Sequence, residues 1–279
     1  MKTKTFIIGL FLAMCLAISL PAIHEIAQTQ TLQGGTLGPA PEGPPPAFVP
    51  TDIAGCQLWL EADSLSLSNN DPVTSWTDLS GQSHHATEAT NPPTYKTGIL
   101  NSLPVVRFDG SDDKLSITDW GAINDANFTV FIVAKPNSIT QFAPVFIKTN
   151  MASYGSGFGL IKYDTTANAY RWFMNTWDTS HYSVDFTWTE NNWKINCFRW
   201  DSADPKNIEV LLNTSSQGTD SNVSNFPGTD ADFPVVMGVG YGGAAMAEDV
   251  YAVILYNSLL SEINMGKVHT YLNGKVAIY

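Results

Sequence analysis

Basic side chains are scarce in this 279-residue chain: 14 Lys and Arg stand against 26 Asp and Glu, giving a formal net charge of −12 and a pI near 4.6. The few cations are scattered and form no basic stripe, which excludes a nucleic-acid backbone or an anionic membrane as partner. Charge of either sign is sparse, and Asn, Ser, Thr, Gly and aromatic residues take its place. That balance suits an exported β-protein that meets neutral polymers. Motif-borne chemistry is missing too, since no G-x-S-x-G elbow, H-E-x-x-H run or phosphate loop occurs. Only three cysteines are present, and Cys15 lies inside an apolar N-terminal segment. Cys56 and Cys197 read equally as one disulfide closing a long loop or as two buried thiols in strand-like runs. Spacing along the chain does not decide between them.

What is present begins with a targeting pattern. Lys2 and Lys4 precede the apolar run Phe6 to Leu20, and Pro21 and Ala22 follow it. This is the order of a secretory signal peptide, with cleavage after Ser19 or Ala22. A retained anchor is the alternative, although a spanning helix wants about 20 apolar residues and Pro21 and His24 interrupt the run. Lipidation at Cys15 would also tether the chain, but the preceding Met14 is bulky for that. Residues 1–27 are therefore expected to be a signal peptide or hydrophobic anchor. Residues 28–50 are rich in Pro and Gly and too poor in large apolar side chains to offset chain entropy, so they read as a linker. Residues 51–279 are long enough for one β-sandwich with a substantial core.

Short strand-like runs punctuated by Gly, Pro, Asn and Asp recur from 57–62 to 249–256, with no long helical period between them. An all-β chain of two packed sheets follows. The runs TVFIVA and VYAVILY are apolar on both faces, which places them in the middle of a sheet. One helix is predicted at the end, with Ser261 as N-cap, Glu262 in its first turn, an apolar stripe of Met265, Val268 and Leu272, and its end at Gly274.

The pieces QLWLEAD, VTSWTDLSG, PTYKTGIL and LPVVRFDGSDDKLSI, in that order, resemble the opening half of a laminin G-like jelly roll of the concanavalin A-like superfamily. Trp59, Glu61, Asp63, Trp76, Asp78, Ser80, Gly81 and the Phe108-Asp109-Gly110 turn with Asp113 fall where that pattern has its marks. The run AEDVYAVILYNSLLSEINMGKVHTYLNGK is similar to the closing strand and helix of bacterial and phage-borne members. The resemblance implies a two-sheet antiparallel jelly-roll sandwich with a short C-terminal helix. It implies a glycan or cell-surface polysaccharide as partner, or a homo-oligomeric or viral assembly, on a secreted, cell-surface or virion-surface protein. Because this sandwich hosts many activities, the residues must decide among them.

Catalytic relatives place carboxylates at alternate positions of one strand, where one acts as nucleophile and the other as proton donor. Glu61 and Asp63 have that spacing, but Leu65 and Ser66 stand where the motif should be completed. The pair therefore reads as a polar strand end, and a glycoside hydrolase or polysaccharide lyase is the weaker expectation. His84 and His85 lack a Cys or carboxylate at ligand spacing and read as solvated. No cofactor is required. Calcium is a candidate at Asp109, Asp112 and Asp113, although an Asp-Gly turn can also close without a metal. Among the central aromatics, Trp193 and Trp200 read as core. Trp177 stands instead in the polar stretch NTWDTSH with Asn175, Asp178 and His181. A ring to stack on and polar groups for hydroxyls are what a sugar needs, so these four are the candidate glycan-binding residues.

Overall fold

The strand-forming runs pair into two sheets in a computed structural model that describes residues 47–118, 127–137, 142–149, 157–163, 168–174, 182–203, 207–221 and 233–279. In chain order the strands are β1 (Cys56–Glu61), β2 (Ser75–Trp76), β3 (Ala86–Thr87), β4 (Thr94–Leu100), β5 (Leu103–Asp109), β6 (Leu115–Ile117), β7 (Phe128–Pro136) and β8 (Pro144–Thr149). They continue with β9 (Gly157–Lys162), β10 (Ala169–Met174), β11 (Tyr182–Thr187), β12 (Lys194–Asp201), β13 (Asn207–Leu212), β14 (Ser215–Asp220), β15 (Val235–Met237) and β16 (Ala247–Tyr256). One α-helix among the described residues, α1 (Glu262–Val276), follows. It is not long and apolar enough to cross a membrane, and no other helix among the described residues is either.

The first sheet runs β14-β13-β12-β7-β16-β5-β4, with β1 also on β16. The second runs β11-β10-β9-β8-β15-β6-β3-β2. The expected sandwich is thus present. β7 and β16, apolar on both faces, lie side by side in the middle of the first sheet and pair from Glu248↔Pro136 to Tyr256↔Thr129. The other edge of β16 is shared: its first half pairs with β5 and its second half with β1.

Aromatic side chains join the sheets. Trp172 of β10 stacks on Phe198 of β12 at 4.6 Å, and Phe128 of β7 meets Phe158 of β9 at 4.5 Å. Trp76, Trp172, Trp188 and Trp200 are fully buried, and truncating any of them should cost about 3 to 5 kcal/mol. Trp200 is core as expected, while Trp193 packs against the core half-buried with the Lys135 ammonium over its ring. The second sheet is also apolar on both faces, because Ile147, Ile161, Phe173 and Val236 form a separate buried cluster.

Two strands carry no apolar signal that sequence could reveal. β14, SSQGTD, is polar throughout and is held by main-chain pairing to β13. β3 is only two residues long. Cys56 and Cys197 are free and buried. They belong to β1 and β12, three strand steps apart, so about 14 Å separates the strands while a disulfide needs Cα atoms within about 7 Å. Burial, with the nearby Asp78 charge adding to it, pushes the Cys56 thiol up to about 12.

α1 starts where the sequence places it: Ser261 Oγ accepts the Asn264 amide, and Glu262 opens the first turn. It runs past Gly274, however, and ends at Ala277 in the left-handed region. The Asn273 side chain explains the extension, since its Oδ1 accepts the amides of Ile278 and Tyr279. Met265, Val268, His269, Leu272 and Val276 face the sandwich.

Candidate functional site

The turn after β5 brings three acids together. Gly110, at φ +81°, reverses the chain, and a Cβ there would lie 2.9 Å from that of Ala247. Ser111 donates its amide to Asp109 Oδ1 at 2.7 Å, and Asp109 donates its own to Asp113 Oδ2 at 2.9 Å. The carboxylates of Asp109, Asp112 and Asp113 then all lie within 4.8 Å of one another. Burial and the charges of Asp109 and Asp112, opposed by the Asp109 amide, raise the Asp113 carboxyl to about 6. Gly238 closes the back of the turn, where any Cβ would meet the Asp113 carbonyl at 2.3 Å. This all-oxygen donor set fits a hard divalent cation, although the amides of Asp109 and Ser111 already use two of the oxygens.

Asp78 organises the neighbouring loop. Its Oδ1 accepts the amides of Trp59 and Ser80, and its Oδ2 accepts the Ser80 hydroxyl and the His84 amide, at 2.7 to 3.0 Å. The two histidines expected to be solvated are structural parts of that loop: His85 Nδ1 accepts the Asp78 amide, and His84 Nδ1 lies 2.7 Å from the Gln57 carbonyl. Neither joins a group of metal-ligating side chains among the described residues.

Glu61 and Asp63 were legible as a pair but not their partner. Lys275, in the last turn of α1, places its Nζ 2.6 Å from Glu61 Oε2 and 3.2 Å from Asp63 Oδ2. Glu61 is 1% exposed at the end of β1. The ammonium also lies over the Tyr271 ring at 5.3 Å. Lys275 and Tyr271 are four apart on one helix face, a spacing visible in sequence, but their approach to β1 depends on pairing across more than 200 positions.

The candidate glycan-binding residues Trp177, Asn175, Asp178 and His181 lie outside the described residues. They belong to the segment between β10 and β11, whose ends pair as Met174↔Tyr182.

No protein-family model matches the chain, and no curated protein matches it in sequence. Solved structures share the architecture. The binding domain of Paraclostridial Mosquitocidal Protein 1 superposes with a TM-score of 0.59 at 13% identity, over 80% of this chain and 53% of that one. Domain 4 of AbnA, a GH43 extracellular arabinanase from Geobacillus stearothermophilus solved in complex with arabinotriose, gives 0.59 at 13% identity, over 77% of this chain and 98% of that domain. The binding domain of botulinum neurotoxin DC, in complex with SialylT, gives 0.55 at 12% identity, over 80% and 52%. This chain therefore spans about half the length of the two toxin domains. At these identities the likeness is one of fold.

Proposed function

We propose that this chain is an exported, non-catalytic recognition module of the laminin G-like type that binds a glycan or cell-surface polysaccharide. The observation that carries the reading is the sandwich it shares with nearly the whole of a domain solved with arabinotriose. A non-catalytic role is supported by Glu61 and Asp63, which both point to one ammonium instead of flanking an open bond, as glycoside hydrolysis requires. Trp177, Asn175, Asp178 and His181 are the sugar-contacting residues assigned from sequence. Asp109, Asp112 and Asp113 are assigned to calcium, which would fix the turn after β5.

A glycan array on the full chain, with calcium and with chelator, tests the reading. Selective binding without release of reducing sugar supports it. Failure to bind any glycan under either condition, or turnover that disappears in Glu61→Gln, refutes it.

A further inference from the structure

We propose that the seam between β1 and α1 is a saccharide site in its own right, one that does not require Trp177, and that it takes neutral sugars and rejects acidic ones. The proposal rests on the glycan-binding reading and adds a location and a ligand class to it.

The seam follows from strand alternation. Leu58 and Leu60 of β1 point into the core, which turns Trp59 and Glu61 outward. Tyr271 and Lys275 of α1 meet them there. Together with Phe48 and Asp63 these side chains line a cleft of about 440 Å³, within the size range of small-ligand sites. Tyr271 stands edge-on to Phe48 at 6.0 Å and to Trp59 at 6.1 Å, so three rings border one opening. Carboxylates and an ammonium lie beside apolar ring surface, the combination a pyranose or furanose ring can use.

A purely structural clasp between β1 and α1 would be complete once Lys275 met Glu61 and Asp63. Two groups remain outside that clasp. Trp59 Nε1 is buried without a hydrogen-bond partner among the described residues, and Glu61 Oε1 is buried with only the neighbouring Tyr271 hydroxyl to turn to. An unmet buried polar group is costly, and most such groups in folded proteins have a protein, water or ligand partner. Here one group only accepts, the other only donates, and they lie two residues apart on the same face of one strand. Sugar hydroxyls both donate and accept, so a saccharide seated in the cleft offers partners of the kind each group requires.

The charge balance selects among sugars. Two carboxylates against one ammonium leave the cleft one net negative charge, on a chain that is itself strongly acidic. A uronic or sialic carboxylate would enter against that field and meet Glu61, which has no proton to offer as a donor when ionised.

Isothermal titration of the full chain carrying Trp177→Ala, which removes any contribution of that aromatic, tests the proposal. The probes are arabinotriose, maltotriose, cellotriose and, as the acidic counterpart, trigalacturonic acid. At least one neutral trisaccharide should bind, with trigalacturonic acid at least 10-fold weaker at low salt. Adding Glu61→Gln should weaken the neutral sugar at least 10-fold. Because Glu61→Gln also loosens the Lys275 contact, Phe48→Ala serves as a second variant, and melting curves accompany both. Binding that disappears with Trp177→Ala alone would overturn the cleft and leave the glycan-binding reading standing. So would neutral-sugar binding that persists undiminished in Glu61→Gln and Phe48→Ala. Equal affinity for the acidic trisaccharide would overturn the selectivity. If the full chain binds no glycan at all, both the reading and the cleft fall.

Discussion

Replacing Asp78 by Ala should be among the most damaging changes available outside the aromatic core. The carboxylate is 6% exposed and accepts four hydrogen bonds, from the amides of Trp59, Ser80 and His84 and the hydroxyl of Ser80. A hydrogen bond to a charged group contributes about 1.5 to 3 kcal/mol net. The Ser80 and His84 donors lie in a partly exposed loop and can turn to water, so their loss is largely made good. The Trp59 amide belongs to β1, and with it goes the fixed seat of the loop on that strand, where Leu79 donates to the Trp59 carbonyl at 2.7 Å. The net cost of Asp78→Ala is then about 3 to 4 kcal/mol. Asp78→Asn keeps an oxygen for Trp59 and Ser80 but turns an amino group toward the His84 N–H, a donor against a donor, and should cost about 1 to 2 kcal/mol. Urea unfolding of the full chain, followed by tryptophan fluorescence and circular dichroism, measures both through the shift in midpoint at constant slope. A cost below 1 kcal/mol for Ala, or equal costs for Ala and Asn, would show that the loop is held by something other than this carboxylate.

Asp113→Ala should lower the melting temperature by removing the acceptor of the Asp109 amide, at a cost on the order of 1 kcal/mol, whereas Asp113→Asn should retain that contact. Since the folded-state carboxyl is raised to about 6, this group's contribution to stability is present below pH 4 and lost as the pH rises toward 6. Melting curves of the two variants across that window, with calcium and with chelator, decide it. His269 has the opposite dependence: burial lowers it to about 4, so its neutral form stabilises the fold above pH 6.5 and that stability is lost as the pH falls through 4. His269→Phe should flatten this part of the acid limb, and an unchanged limb would contradict the burial argument. Trp177→Ala should leave the melting temperature nearly unchanged while weakening glycan binding by about 1 to 2 kcal/mol. A loss of 3 to 5 kcal/mol in stability would instead make Trp177 part of the core.

How much could be read from the residues depended on how local the cause was. The all-β sandwich, the central places of β7 and β16 and the N-cap at Ser261 follow from alternation and capping within a few positions. β14 escaped because nothing in SSQGTD alternates. It exists through its partner strand, and Asp220 at its end accepts the Ser183 amide. The end of α1 was misplaced because Gly274 carries a strong stop signal, whereas the true stop depends on how the Asn273 side chain folds back. The acidic turn was legible because all three carboxylates lie within five positions. Lys275, the partner of Glu61 and Asp63, comes from the far end of the chain, and only the completed sheet brings it near.

The placement of β16 dictates an order of events. The strand made last in the chain is a central one, with β7 on one edge and β5 and β1 on the other. Until residues 247–256 have been synthesised, β1 has no partner among the described strands of the first sheet and β5 has only β4. The sandwich therefore cannot close progressively behind the ribosome. It must wait for β16, with long-range pairing delaying the final step. A chain built this way keeps the inner edges of β1 and β5 open until β16 arrives to fill the gap between them and β7.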